Sequence, residues 1–425
     1  MIYVVGTFII LMVFGMPVAF VIGISGTVYF LIDQQLPISI IVQKIAGTSQ
    51  SFPLLAVPFF ILAGNLMNSS GITQRLMRFA TLITGHLAGG LAHVSCVLSF
   101  LMGGISGSAV ADAAMEARML GPTMLERNYS SGYAAAVIAM PGLITATIPP
   151  SLGLIVFGFV CNVSIGKLFI GGIVPGFLMT ILFMSVAGII AKKRDYVPER
   201  ESIASIREIL GSFRECIWAL IFPLILIIGI RFGLFTPSEA GAFAVIYAYI
   251  VGKYIYKELN YKNMMETIIA TVKDNAMVML IIAMSAIIGY IVSYDNIGNE
   301  LYKVLSELSI GPNMLMLLSI LFFAVTGMFL DPNATVLIFG PILTPIIVKA
   351  GIDPVHYGLI MMSTLTFGNM TPPVGMAMYA TCSIMNVKIE DYAKESVPFF
   401  VSVFALILVM AFVPDIVMFL PNLVF

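Results

Sequence analysis

Apolar runs long enough to cross a bilayer, which takes about 20 residues each, recur along the whole chain, as at residues 4–32, 168–191, 217–235 and 399–421. One long polar stretch interrupts them near the midpoint, residues 192–215, KKRDYVPERESIASIREILGSFRE. Its six basic residues (Lys192, Lys193, Arg194, Arg200, Arg207, Arg214) lie beside membrane segments, where Lys and Arg mark the cytoplasmic face. This stretch is read as a cytoplasmic connector. From Ser202 on, Ile203, Ile206, Ile209 and Leu210 follow helical spacing, which predicts a helix lying along the interface; a solvated linker is the alternative.

Two apolar stretches are too broken to be ordinary spans. GGISGSAVADAAMEARMLGP (103–122) and GMFLDPNATVLIFGPILTP (327–345) mix glycine, proline and acidic residues. Non-helical backbone survives at membrane depth only where protein or a watery cavity satisfies its polar groups. They are therefore predicted as re-entrant hairpins over residues 93–127 and 311–349. Counting outward from the connector gives ten crossings plus the two hairpins, with both termini outside. Fifteen basic residues, Lys44 and the connector set among them, then fall inside, against six outside that include Arg75 and Arg78. The bias has the expected sense.

Sliding the chain against itself by 223 residues superposes Gly104 on Gly327, Pro122 on Pro345, Pro149-Pro150 on Pro372-Pro373, and Pro175 on Pro398. An internal repeat follows. The predicted units are residues 1–191, the connector 192–215, and residues 216–425, each outer unit holding one hairpin and one Pro-Pro-broken helix (131–160 and 356–385). Five crossings per half is odd, so the halves enter the membrane from opposite sides. Inverted repeats of this kind are a signature of secondary transporters. A proline inside a helix removes a backbone donor and frees the carbonyl four residues before it. Half-helix ends facing a hairpin tip can then bind a cation through carbonyl oxygens and hydroxyls. A simple kink in a packed helix is the competing reading.

Composition narrows the function. The chain is 60% hydrophobic and 10% charged, with mean hydropathy +1.04 and net charge −1, whereas soluble domains are about a quarter charged. No basic surface suited to nucleic acid is present. The cysteines Cys96, Cys161, Cys216 and Cys382 lack any C-x-x-C spacing, and His86, His93 and His356 form no H-E-x-x-H pair. No phosphate-binding loop of the G-x-x-x-x-G-K-[ST] type occurs, so an ATP-driven pump is disfavoured. Residues near Met1 show neither a basic run nor a small-residue cleavage site, and a removable signal peptide is not expected. The reading is an all-α polytopic membrane protein that moves a solute on an ion gradient, and not an enzyme.

Six stretches carry a family resemblance: PLLAVPFFILAGNLM (53–67), GGISGSAVADAAM (103–115), IPPS (148–151), GLFTPSEAGAFAVIYA (233–248), GMFLDPNA (327–334) and NMTPPVG (369–375). In this order they resemble the large membrane (permease) subunit of tripartite ATP-independent periplasmic (TRAP) transporters. The likeness covers the whole chain. It implies a sodium-coupled importer of organic acids in the bacterial inner membrane, with an ion-transporter-like fold and an elevator mechanism. It also implies two partners, a small membrane subunit carried on a separate chain and a periplasmic solute-binding protein. Sodium is the coupling ion and no other cofactor is expected. Overall likeness leans to a sialic acid (N-acetylneuraminate) as solute, with C4-dicarboxylates and other organic acids as alternatives.

On that resemblance the first sodium site is assigned to Ser106 and Ser108 at the first hairpin tip with Thr145, Thr147, Ile148 and Pro149 at the first break. By the 223 offset the second falls on Gly327 and Asp331 with Gly368, Met370 and Thr371. Ser106, Ser151 and Asp331 are the solute-binding candidates. An intramembrane acid is a functional hypothesis by default, although Asp331 also suits a helix N-cap. Asp112, Glu116 and the nearby Arg118 are read as a structural pairing, Glu239 as a helix cap, and His93 as a packed side chain. Few Arg or Lys lie inside the membrane, so a solute carboxylate is expected to meet backbone amides and half-helix N-termini. A membrane-embedded enzyme, a channel, and a hairpin carrier without a binding protein are the rival readings; the first lacks a nucleophile or metal constellation and the second a ring of pore charges.

Overall fold

The computed structural model describes residues 2–33, 36–307 and 310–425. Every element among them is helical. The first half comprises α1 (Ile2–Val13), α2 (Val18–Ile32), α3 (Ser39–Ser49), α4 (Ala56–Ser69), α5 (Ile72–Thr84), α6 (Gly90–Gly103), α7 (Ala109–Met119), α8 (Gly121–Glu126), α9 (Ser131–Ala139), α10 (Gly142–Thr147), α11 (Leu152–Val160) and α12 (Ile165–Lys193). The second comprises α13 (Ile206–Arg231), α14 (Pro237–Ile250), α15 (Tyr261–Tyr294), α16 (Ile297–Glu307), α17 (Pro312–Phe329), α18 (Pro332–Lys349), α19 (Pro354–Asn369), α20 (Met376–Met385), α21 (Ile389–Phe412) and α22 (Pro414–Val424).

The element order recurs at the 223 offset. Helices α6 and α7 match α17 and α18; α9–α10 match α19; α11 and α12 match α20 and α21. Both Pro149-Pro150 and Pro372-Pro373 bonds are cis. The long α15 has as its counterpart α3 and α4, separated by a single turn of 3-10 helix at Phe52–Leu55.

Cross-packing joins the halves. Helix α7 packs on α20 and, at the matching place, α11 packs on α18, so each hairpin grips the other half's broken helix. A second group forms where α4 packs on α14 and, correspondingly, α2 packs on α15. Glycines allow the closest approaches. A Cβ on Gly327 would lie 2.5 Å from the Leu365 carbonyl oxygen and 3.2 Å from Gly368 Cα, and one on Gly103 would lie 3.2 Å from Thr145 Cα.

Several expectations change. Among the described residues, seven helices are long and apolar enough to cross a membrane by themselves, or eight when the bent pair Ser131–Thr147 plus Leu152–Val160 counts as one. Two of the seven, α17 and α18, are the arms of the stretch expected to be a re-entrant hairpin, so ten crossings would need shorter apolar helices such as α1 and α2 as well. Run 4–32 breaks at Phe14–Pro17, where Gly15 takes φ +74°, and its two helices pack on each other. The connector holds no separate interfacial helix. Ser205 and Glu208 form a capping box that starts α13, which continues unbroken to Arg231, so Ile206, Ile209 and Leu210 belong to one 26-residue helix while Ile203 lies before it. A similar box at Thr236 and Glu239 starts α14, with the Glu239 carboxylate accepting the Thr236 amide at 2.8 Å, as a cap should.

Sidedness is also revised. Arg78 pairs with Glu215 of the connector at 3.4 Å, and Arg75 with Glu258 at 2.7 Å, just before α15 begins. Both arginines therefore lie at the connector end, not opposite it. Lys44 stands over the Tyr290 ring, near the other end of the 34-residue α15, about 40 Å away at 1.5 Å per residue. The amphipathic α5 does not cross; it runs along the connector end. Moving these three residues turns fifteen against six into sixteen against five, which strengthens the charge asymmetry.

The connector is strapped to the first hairpin's base. Gly89 N–H donates to the Tyr196 carbonyl at 3.1 Å, Ser130 N–H to the Tyr196 hydroxyl at 3.0 Å, and Tyr196 stacks on Tyr129 at 4.3 Å. Arg194 reaches both carboxylate oxygens of Glu395 on α21, at 3.1 and 2.8 Å.

Two measurements check this packing. Replacing Gly368 by Leu should lower the melting temperature of the purified protein, with an overpacking cost of about 1–3 kcal/mol, because even a Cβ would lie 2.7 Å from Gly327 backbone atoms. Gly47→Ala, where nothing lies within 4 Å, should leave it unchanged, and equal effects would contradict the packing. A double-mutant cycle on Arg194 and Glu395 should return about 0.5–1 kcal/mol of coupling, shrinking in high salt, since the side chains are 37% and 23% exposed.

Candidate functional site

The two hairpin tips and the two helix breaks converge on a cavity of about 420 Å³ and a smaller one of about 50 Å³ beside it. Ser108, Leu152, Asp331 and Asn333 line both. Ser108 and Asp331 are 223-related, and each caps the second arm of its hairpin. The Ser108 hydroxyl accepts the Ala111 amide at 3.4 Å, whereas Asp331 Oδ1 accepts the amides of Asn333 and Ala334 at 2.8 and 3.2 Å. Asp331 is thus an N-cap and a cavity wall at once. The dipole of α18 and these two donors stabilise its charge at the tip.

At the first tip, Ser106 Oγ accepts the Ser108 amide at 3.4 Å and the Thr145 hydroxyl donates to the Ser99 carbonyl at 3.0 Å. Between them stands Asp112, one turn into α7. It is buried, and its carboxylate lies against the side chains of Ser106 and Thr145 without a well-aligned hydrogen bond to either. Burying an unpaired carboxylate costs several kcal/mol after relaxation. The expected pairing of Asp112, Glu116 and Arg118 does not form. Glu116 instead accepts the hydroxyls of Ser95 at 2.5 Å and Ser99 at 2.8 Å. Arg118 is exposed, because two residues beyond Glu116 a helix presents the opposite face.

Other first-site residues divide. The Thr147 hydroxyl donates to the Leu143 carbonyl at 2.8 Å, and its own carbonyl oxygen would meet a Cβ on Gly172 of α12 at 2.2 Å. That residue is turned toward α12. Ile148 wedges its side chain against Gly103 and Gly176, beside the cis Pro149-Pro150 bond. Ser151 is buried, caps α11 by accepting the Leu154 amide at 3.5 Å, donates to the Ala146 carbonyl at 2.6 Å, and lines the smaller cavity.

At the second break Gly327 and Gly368 bring two backbones together, while the Thr371 hydroxyl back-bonds to the Phe367 carbonyl at 2.8 Å. The Met370 carbonyl accepts the Tyr392 hydroxyl at 2.9 Å. Sequence reasoning missed two residues here. Asn369 bridges the break by accepting the Met376 amide on Oδ1 at 2.9 Å and lines the smaller cavity. Gly375, at φ +25°, leaves the carbonyl oxygens of Thr371 and Asn369 within 2.7 and 2.9 Å of where a Cβ would sit. It also missed Asp112, which the rule applied to Asp331 would have found. His93 is buried with its ring against Gly188.

The polar groups gathered here are oxygen donors, the ligand type that hard cations take. Hydroxyls, main-chain oxygens and the carboxylates of Asp112 and Asp331 stand at the tips and breaks; among the described residues no three His, Cys, Asp or Glu side chains gather in one place.

Residues 5–416 match the family described as tripartite ATP-independent periplasmic transporter, DctM component. The chain is 34% identical over 403 residues to the 2,3-diketo-L-gulonate TRAP transporter large permease protein YiaN of Escherichia coli, covering 95% of this chain and 94% of that protein. It is 35% identical over 409 residues to the sialic acid TRAP transporter large permease protein SiaM of Vibrio cholerae, covering 96% and 95%. In fold it is similar to the YdaH transporter of Alcanivorax borkumensis, with a TM-score of 0.61 at 14% identity over 87% of this chain and 86% of that one. The chain belongs to the DctM-component family of tripartite ATP-independent periplasmic transporters, a family of multi-pass membrane permeases and not of enzymes.

Proposed function

We propose that this large permease imports an organic acid by coupling it to inward sodium movement, and that the Asp112 carboxylate is where the first sodium is felt. The observation carrying this reading is a buried carboxylate with no cationic side chain and no well-aligned hydrogen bond, set between the hydroxyl-bearing residues Ser106 and Thr145 where hairpin and break meet. Without a cation the charge stands uncompensated; with one, the tip gains a centre that ties α7 to α10. Sodium occupancy thereby favours the ordered tip, and the ordered tip forms the solute cavity. A ligand shifts such an equilibrium only by its differential affinity for the two states, and the unpaired acid supplies that difference. The second sodium is assigned to the Gly327–Gly368 contact, with Thr371 and the carbonyls converging at Gly375; Met370, whose carbonyl already accepts from Tyr392, contributes less.

Ser106, Ser151 and Asp331 hold the solute on the hairpin side. Cross-packing of α7 on α20 and α11 on α18 supports one block that moves as an elevator past the group built from α2, α4, α14 and α15. Inverted orientation of the two halves and periplasmic termini in the inner membrane complete this reading. The C-terminal Phe425 ring lies against Gly166 near Ile230, the end of α13 away from the connector, which supports it. A small membrane subunit and a periplasmic binding protein are the partners, as TRAP large permeases work with both. N-acetylneuraminate is the favoured cargo, given the sialic acid relative, with C4-dicarboxylates and other organic acids as alternatives.

Proteoliposomes holding this chain and its small subunit, supplied with loaded binding protein, test the coupling. Uptake should require an inward sodium gradient, and unchanged uptake with potassium in its place would sink the proposal. Asp112→Asn should abolish sodium-driven uptake, and Thr145→Val should raise the half-saturating sodium concentration about tenfold, the equivalent of ~1.4 kcal/mol. Ser151→Ala or Ser106→Ala should raise the solute concentration needed for half-maximal uptake; no change in either would remove both from the solute site.

A further inference from the structure

The larger cavity has a second wall, made by α4 and α15, that none of the assignments above uses. Asn65 Nδ2 donates to Thr271 Oγ1 at 3.0 Å and to Asp274 Oδ2 at 3.1 Å, and the hydroxyls of Ser69 and Thr267 meet at 2.7 Å. Asn65, Asn68 and Asp274 all line the cavity. Both amide hydrogens of Asn65 are thus spent inside the wall. The carbonyl oxygen of Asn68 is buried with no partner. What the wall offers to the cavity is the Asp274 carboxylate, which when ionised only accepts, beside the amide of Asn68, whose oxygen is the buried end and whose NH2 donates.

This wall is absent from the other half. At the 223 offset Asn65 and Asn68 correspond to Ile288 and Ile291, both buried in an apolar cluster, and Asp274 corresponds to Ser51. The repeat supplies the shape, and only one copy carries this polarity. Across the cavity Asp331 adds a second carboxylate, and no Lys, Arg or His is among the described residues lining it.

We propose that Asn68 and Asp274, bracketed by Asn65, recognise cargo hydroxyl groups, so that the α4–α15 wall restricts the permease to polyhydroxylated monocarboxylates. Cargo hydroxyls, which both donate and accept, meet the Asp274 carboxylate and the Asn68 amide, and a site built to hydrogen-bond hydroxyls rejects an analogue that lacks them. A C4-dicarboxylate dianion brings no comparable donors, and its second charge doubles the repulsion from Asp274 and Asp331. The volume of about 420 Å³ lies in the range of roughly 300–1,000 Å³ that small-molecule sites occupy. The proposal rests on the transport reading and names its cargo class.

Thermal unfolding of the purified complex of this chain with its small subunit tests it, because the binding protein and its own selectivity are left out. The probes are D-gluconate, N-acetylneuraminate and succinate, each titrated in sodium chloride. Both polyhydroxylated acids should raise the melting temperature and succinate should not. Asp274→Asn and Asn68→Leu should each raise the half-saturating gluconate concentration at least tenfold. A variant counts as folded when its melting temperature in sodium chloride alone matches the unsubstituted complex, so either variant suffices if the other fails to fold. Stabilisation by succinate equal to that by gluconate, no stabilisation by either polyhydroxylated acid, or half-saturation within twofold in the folded variants overturns the proposal. Exchanging sodium for choline without cargo reads the coupling separately: loss of a sodium effect there removes the sodium assignment and leaves the wall to be judged on the gluconate data.

Discussion

Hydrocarbon offers neither donors nor acceptors, and every interruption of a helix at membrane depth has to be answered from within the protein. That constraint organises this molecule. Ser108 and Asp331 cap the arms that leave the hairpin tips, Ser151 caps the helix after the first break, and Asn369 spans the second. Gly375 N–H donates to the Met328 carbonyl at 3.0 Å, tying the second break to the second hairpin. Small residues at Gly103, Gly327 and Gly368 let the backbones come close enough for these bonds. Asp112 stands apart from these caps as a buried carboxylate, and the proposed sodium coupling rests on it.

The two halves share a backbone plan and differ in side chains, and the differences fall at the cavity. Ser108 and Asp331 do the same capping work with different charge. Asn65 and Asn68 face the cavity where their counterparts Ile288 and Ile291 seal an apolar contact. A duplicated scaffold with unequal side chains provides one site with a polar wall, an acidic tip and two hydroxyl-bearing breaks. Each hairpin packs against the opposite half's broken helix, so the two tips share one close-packed block.

The connector adds a mechanical link. Its hydrogen bonds run to Gly89 and Ser130 at the base of the first hairpin, and Arg194 reaches α21. From Ser205 it becomes α13, which packs against α5 and α14. The segment that joins the repeats in sequence therefore also joins the hairpin-bearing block to the group around it.

Hydrophobic length, the recurrence of element order at the 223 offset and both Pro-Pro breaks were legible in the chain, because each follows from its composition or from proline chemistry acting on its own helix. The Glu239 cap was legible for the same reason, being settled within four residues. Tertiary structure decided what each helix face meets. Spacing placed Asp112 and Glu116 on one face of α7, but only packing against α6 and α10 gave Glu116 its two serines and left Asp112 without a well-aligned hydrogen bond. The turning of Thr147 toward Gly172, the side on which Arg75 and Arg78 lie, the polar wall of α4 and α15, and the carbonyls converging at Gly375 were settled likewise. All depend on contacts between residues far apart in the chain, and a helical period states which residues share a face without stating what lies opposite it.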